Sequence, residues 1–145
     1  MLKINKNILI LSITFILSGC MTSYANYSDL IKNVKQKDMT TMTIQVNYNK
    51  VRRNVIRNVK RCFIDQKTGD NRCTVHLSTS RKFNISCSRK WEYFSENKTA
   101  IEHYIKGEKI DATHTRLSIY TLNSYAEPYI IEWAKDEHQL CPSIM

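Results

Sequence analysis

The chain has 145 residues, with 22 Lys and Arg against 13 Asp and Glu, a formal charge of +9. That is one domain's length, and three Gly with two Pro exclude a collagen-like or low-complexity chain. With 42% hydrophobic residues the chain can bury a core, and it lacks the Gly-rich phosphate loops of nucleotide-binding enzymes.

The N-terminus reads as an address. Lys3 and Lys6 give a positive start, Ile8 to Leu17 is apolar but too short to span a bilayer as a helix, and Ser18 and Gly19 are small. The string Leu17-Ser18-Gly19-Cys20 resembles the lipobox of bacterial lipoproteins. The resemblance implies that residues 1–19 are a signal peptide removed by cleavage. It also implies that diacylglycerol is joined to the Cys20 thiol and that the new amine is acylated. Two or three acyl chains hold a protein on a membrane where one binds only marginally. Asp after the anchor typically marks inner-membrane lipoproteins, so Met21 implies the outer membrane, with the domain facing the periplasm. Removing residues 1–19 takes away two Lys and no acid, which lowers +9 by two to +7.

Residues 20–38 are polar apart from Leu30, Ile31 and Val34. They read as a lipidated tether with a helical turn capped by Ser28, leaving 39–145 as a single domain. Thr40 to Val46 alternates at Met42, Ile44 and Val46 and reads as a strand. Asn47 then offers an N-cap, and Tyr48, Val51, Val55, Ile56 and Val59 recur at helical spacing over residues 48–61. The remaining positions carry Lys50, Arg52, Arg53, Arg57, Lys60 and Arg61 with no acidic residue, so this is the most polarised element in the chain.

Phe63-Ile64-Asp65 and a Gly69-Asp70-Asn71 turn follow. From Cys73 to Cys87 the apolar residues occupy only odd positions, the signature of half-buried strands on either side of a turn near Ser80. Folding there opposes Val75 to Ile85, Leu77 to Phe83 and Cys73 to Cys87. The turn itself, Thr79-Ser80-Arg81, lacks the Gly or Asn that a three-residue hairpin loop prefers. The second strand extends through Arg89, Trp91 and Tyr93, and Glu96-Asn97 reads as a break. Strands are expected at Ala100–Lys106 and Arg116–Leu122. Ser124 with Glu127 suggests a capping box for a last helix carrying Tyr129, Ile130, Trp133 and Ala134, with Pro128 in its first turn.

With Cys20 assigned to lipid, Cys62, Cys73, Cys87 and Cys141 remain, and an even number in an exported chain reads as two disulfides. The strand alternation favours Cys73–Cys87, which leaves Cys62–Cys141 to join the two helical segments. Cys62–Cys73, closing a short loop around Gly69, is the competing pairing. Without a C-x-x-C pair, zinc is not expected, and neither is any other cofactor. The fold expected is α+β: a mainly antiparallel sheet with two helices packed on one face, in the order β-α-β(4)-α.

The lipobox, the Arg-rich helix from Tyr48 to Cys62 and the C-terminal Cys141-Pro142 together resemble a group of small proteobacterial outer-membrane lipoproteins of uncharacterised function. The Cys73/Cys87 pair departs from that group. More distantly, the element order is similar to the helix-grip domains of the lipoprotein C component of the β-barrel assembly machinery, an analogy of fold that carries no function.

His76, His103, His114 and His138 lack metal-binding spacings, and Asp65, Asp70, Asp111 and Asp136 are scattered without a hydrolytic pairing. No Gly-flanked Ser forms a nucleophile elbow, so no catalytic residue and no enzyme is expected. The leading reading is a non-enzymatic envelope lipoprotein, held on the membrane by its N-terminal lipid. Its basic helix would contact an envelope protein or anionic lipid, and nucleic acid is not an expected partner. The alternative is a ligand-binding lipoprotein whose sheet cradles a lipid or glycan beside Trp91, Tyr93 or Tyr104.

Overall fold

The computed structural model describes residues 24–63, 73–93, 96–122, 124–136 and 140–142. It is an α+β fold. Its helices are α1 (Tyr27–Asn33), α2 (Tyr48–Cys62) and α3 (Glu127–Lys135), and its strands are β1 (Thr40–Ile44), β2 (Cys73–Ser78), β3 (Lys82–Tyr93), β4 (Glu96–Lys109) and β5 (Thr115–Thr121). All pairings are antiparallel, in the order β1-β5-β4-β3-β2. Four consecutive strands form a meander, and β1 returns to the edge beside β5. Glu96-Asn97 is not a break: Tyr93 pairs with Glu96 and Glu92 with Asn97, so both residues belong to β4.

One face of the sheet carries α2 and α3. Val51, Val55 and Val59 of α2 and Ile130, Trp133 and Ala134 of α3 share a core with Phe83, Ile85, Ile105, Leu117 and Ile119. The β-branched stripe of α2 is a poor helix former alone, and burial against the sheet holds it. Asn47 caps the helix, accepting from the Asn49 N–H at 2.9 Å. For α3 the expected capping box does not form. Ser124–Ala126 is a 3-10 turn, Ala126 occupies the cap without a side-chain bond, and Pro128 sits in the first helical turn. The helix ends at Asp136, in the left-handed conformation at φ 70°.

The opposite face is where the structure departs from the expected two-helix arrangement. Residues 24–34, read as part of a tether, pack on the sheet. Asn26, not Ser28, caps α1 by accepting from the Asp29 N–H at 2.9 Å. Leu30 is fully buried with Tyr24, Ile101, Tyr104 and Tyr120 in a second core. Burying such a side chain contributes roughly 1.5–3 kcal/mol, and together with Tyr24, Tyr27 and Val34 on the same core it holds a seven-residue helix that has no independent stability. The element order is therefore α-β-α-β-β-β-β-α, with helices on both faces.

A bulge builds the second core. Cys87 pairs with His103 and Ser88 with Ile101, so Glu102 is the extra residue. It inverts the alternation and sends Ile101 to the face of Tyr104 instead of that of Ile105. Burial pushes the Tyr104 phenol up to about 12, with Tyr27 adding to it, and burial does the same to Tyr120, with Tyr24 adding to it. Beyond the bulge, from Ser88↔Ile101 to Tyr93↔Glu96, β3 and β4 pair with each other while their ladders to β2 and β5 have ended. Residues 88–93 and 96–101 thus form a two-stranded arm.

Cys62 is bridged to Cys141 and Cys73 to Cys87, the latter pair directly opposed in the β2–β3 ladder. Val75 faces Ile85 as expected, but a second bulge at His76 slips the register. Leu77 lies opposite Asn84 and Ser78 opposite Phe83, and Leu77 is left 39% exposed.

Candidate interaction surface

The basic helix divides into two groups of cations. Arg53, Arg57 and Lys60 occupy positions i, i+4 and i+7 and are all exposed, a row about 10 Å long on the outer side of α2. Arg61 is exposed beside the row. The other two serve the fold. Lys50 Nζ lies 3.2 Å from Asp136 Oδ2, joining the start of α2 to the end of α3. Arg52 Nη1 donates to the Thr79 carbonyl at 2.8 Å, and its guanidinium lies 5.8 Å from the Tyr48 ring centroid. The six cations expected on one face are therefore not one set. In the charge pattern they look alike, and only the positions of Thr79 and Asp136 separate them.

Thr79 also explains a hairpin loop without Gly or Asn. Its Oγ1 accepts from the N–H groups of Arg81 and Lys82 at 3.2 and 3.0 Å, and its own N–H donates to the Lys82 carbonyl at 2.8 Å. The hydroxyl takes over the local bonding that a left-handed residue would otherwise allow. Tyr48 Oη donates to the Thr79 carbonyl at 2.9 Å, so the first turn of α2 holds the loop by two donors. The far end of α2 is fastened by Cys62–Cys141, and Trp133 Nε1 donates to the Leu140 carbonyl at 2.9 Å next to that bridge. The cationic row is thus presented on a helix fixed at both ends.

Two helix residues missed by periodicity lie inside. Asn54 and Asn58 are 3% and 2% exposed, and Asn58 Nδ2 donates to the Asn54 carbonyl at 3.0 Å. Asn54 Oδ1 is 3.5 Å from Arg57 Nη2.

A polar cluster surrounds the Glu102 bulge. Arg89 Nη1 lies 3.5 Å from Glu102 Oε1, to which Tyr125 Oη donates at 3.2 Å. Glu102 Oε2 lies 3.9 Å from His103 Nε2. His103 is fully buried, stacked on Phe63 at 4.6 Å, and among the described residues neither ring nitrogen has a hydrogen-bond partner. Burial, with Arg89 adding to it, holds the imidazole down at about 3. The ring is neutral and enclosed, which suits a packing role more than proton transfer.

The remaining candidates have structural settings. His76 stacks on Tyr27 at 3.4 Å and contacts Ser86 Oγ at 2.6 Å. Asp111 organises the β4–β5 loop. The Thr113 N–H is foremost in holding its carboxyl down at about 2, helped by His114. Glu108 is pushed up by partial burial, but bonds from Lys106 and Lys82 leave it below the usual carboxylate range. Tyr104, proposed above to line a cradle, is buried beneath α1. Among the described residues no three His, Cys, Asp or Glu side chains converge as metal ligands, and no helix is long and apolar enough to cross a membrane. Cys20, Asp65, Asp70, the Gly69 turn and His138 lie outside the described residues, as do the side chains of Trp91 and Tyr93.

Compared with known families and curated proteins, the sequence matches no family model and no individual protein.

Proposed function

We propose that this protein is a non-enzymatic envelope lipoprotein, anchored through Cys20 to the outer membrane and facing the periplasm. It serves an assembly or secretion apparatus by contact through the Arg53–Arg57–Lys60 row. The observation that supports this reading is the row itself: three exposed cations at helical spacing on an element pinned by Thr79 at one end and Cys141 at the other. A fixed cationic ledge is pre-organised for an acidic surface, so little side-chain and backbone order has to be gained on docking.

Replacing Arg53, Arg57 and Lys60 together by Gln tests the reading. In-cell crosslinking and recovery of the wild-type protein should return an acidic envelope partner whose capture weakens with salt. The triple variant should lose it while keeping the same melting temperature. Equal recovery by the variant would remove the basic helix from the function. An unmodified Cys20 thiol in the purified protein would remove the anchor.

A further inference from the structure

We infer that the β3–β4 arm, residues 88–93 and 96–101, is the part of the domain that rests on the lipid bilayer, held there by a leash of four peptide links. This rests on the reading of Cys20 as the lipidated residue. The described chain begins at Tyr24. This residue is 2% exposed, its carbonyl accepts from the Ile101 N–H at 2.7 Å, and its ring meets Tyr120 edge-on at 5.4 Å. The leash therefore ends at the base of the arm. Four links from Cys20 to Tyr24 span at most about 14 Å. Acyl chains sunk in the membrane keep Cys20 at headgroup level, so the base of the arm lies within that distance of the headgroups.

The composition of the arm suits the setting. Trp91 and Tyr93 share the arm with Lys90 and Lys98, beside Glu92 and Glu96, and Trp91 pairs with Lys98 across the ladder. Trp and Tyr concentrate at membrane–water interfaces, where one part of the ring is apolar and the other wet, and Lys and Arg meet anionic headgroups. The geometry also separates the arm from the first turns of the basic helix, whose far end, at Phe63, reaches His103 beside the arm's base. β3 runs from Lys82, beside the Thr79 loop, to Tyr93 at the arm, roughly 35 Å for a strand of twelve residues. The first turns of α2 are tied to the Thr79 end. Arg53 thus stands away from the bilayer and is open to a protein partner, while the arm takes the lipid contact.

Lipid quenching of tryptophan tests this, because the chain has two Trp and Trp133 is fully buried. The full, acylated protein is placed in vesicles of phosphatidylethanolamine and phosphatidylglycerol, with and without brominated acyl chains. Mass spectrometry of the N-terminal peptide confirms the lipid at Cys20. Bromolipid should quench the wild-type emission, and W91F, matched in melting temperature, should lose the quenched component. A ten-residue Gly/Ser insertion between Ser23 and Tyr24 should reduce the quenching. Lipidated wild type with no quenching, or W91F quenched as strongly as wild type, would overturn the arm contact while leaving the anchor standing. A free Cys20 thiol would overturn the anchor itself.

Discussion

Arg52 donates from Nη1 to the carbonyl oxygen of Thr79 at 2.8 Å, although it belongs by sequence to the same run of cations as Arg53. The two should behave differently when replaced. R52Q removes one donor to the hairpin loop and should cost about 1 kcal/mol, or about 3–5 °C of melting temperature for a domain of this size. R53Q should stay within about 0.5 kcal/mol of the parent. Thermal unfolding of the two variants side by side decides the point. Equal losses would mean that the loop does not depend on α2.

His103 makes stability depend on pH. Its folded-state pKa lies near 3, below the value of about 6.5 expected for an unfolded chain. Between those limits the unfolded state binds the extra proton. The contribution is therefore complete above about pH 6.5 and is lost as pH falls toward 3, at up to about 1.4 kcal/mol per pH unit. H103F, apolar and of similar shape, should flatten urea-unfolding stability over that window. Asp111 and Glu108, whose folded pKa values are depressed, lose their contributions only at lower pH, as it falls through the carboxylate range. An unchanged slope between pH 6 and 4.5 in H103F would place the proton elsewhere.

Gly107 is required by Phe83. The two residues pair across β3 and β4, and a Cβ on Gly107 would stand 2.1 Å from the ring edge. The ring is fully buried and has little room to move, so G107A should destabilise by about 1–3 kcal/mol. Shortening the ring should recover part of that loss in the double variant F83L/G107A. A double-mutant cycle by chemical denaturation measures it, and strict additivity would contradict the contact.

The bridges should differ in worth. Cys62–Cys141 closes a separation of 79 residues and Cys73–Cys87 one of 14. On loop-closure entropy these correspond to roughly 4.5 and about 3 kcal/mol respectively. C62S/C141S should therefore melt below C73S/C87S. The smaller bridge also lies within a ladder that already opposes its two ends, so its loss leaves the β2–β3 register in place.

Much of this architecture is legible because local and tertiary signals agree. The odd-position alternation from Cys73 to Cys87 specifies the hairpin and its bridge, and Asn47 with the Val51–Val55–Val59 stripe specifies α2. The failures share a cause: they depend on contacts distant in sequence. Leu30 sits in a short, mostly polar segment, and its burial depends on Ile101, which a bulge turned to that face. Leu77 follows the alternation but loses its place opposite Phe83 to the bulge at His76. In the cationic run, the charge pattern marks a surface but does not say that Lys50 and Arg52 are already engaged with Asp136 and Thr79.

The packing of α1 has a practical corollary. Residue 39 invites use as a start for recombinant fragments, since everything before it looks dispensable in the sequence. Such a fragment would strip the cover from Ile101, Tyr104 and Tyr120 and leave an aromatic patch bare in water. Poor solubility of that truncation would reflect the removal of a structural layer, and beginning at Met21 would keep it.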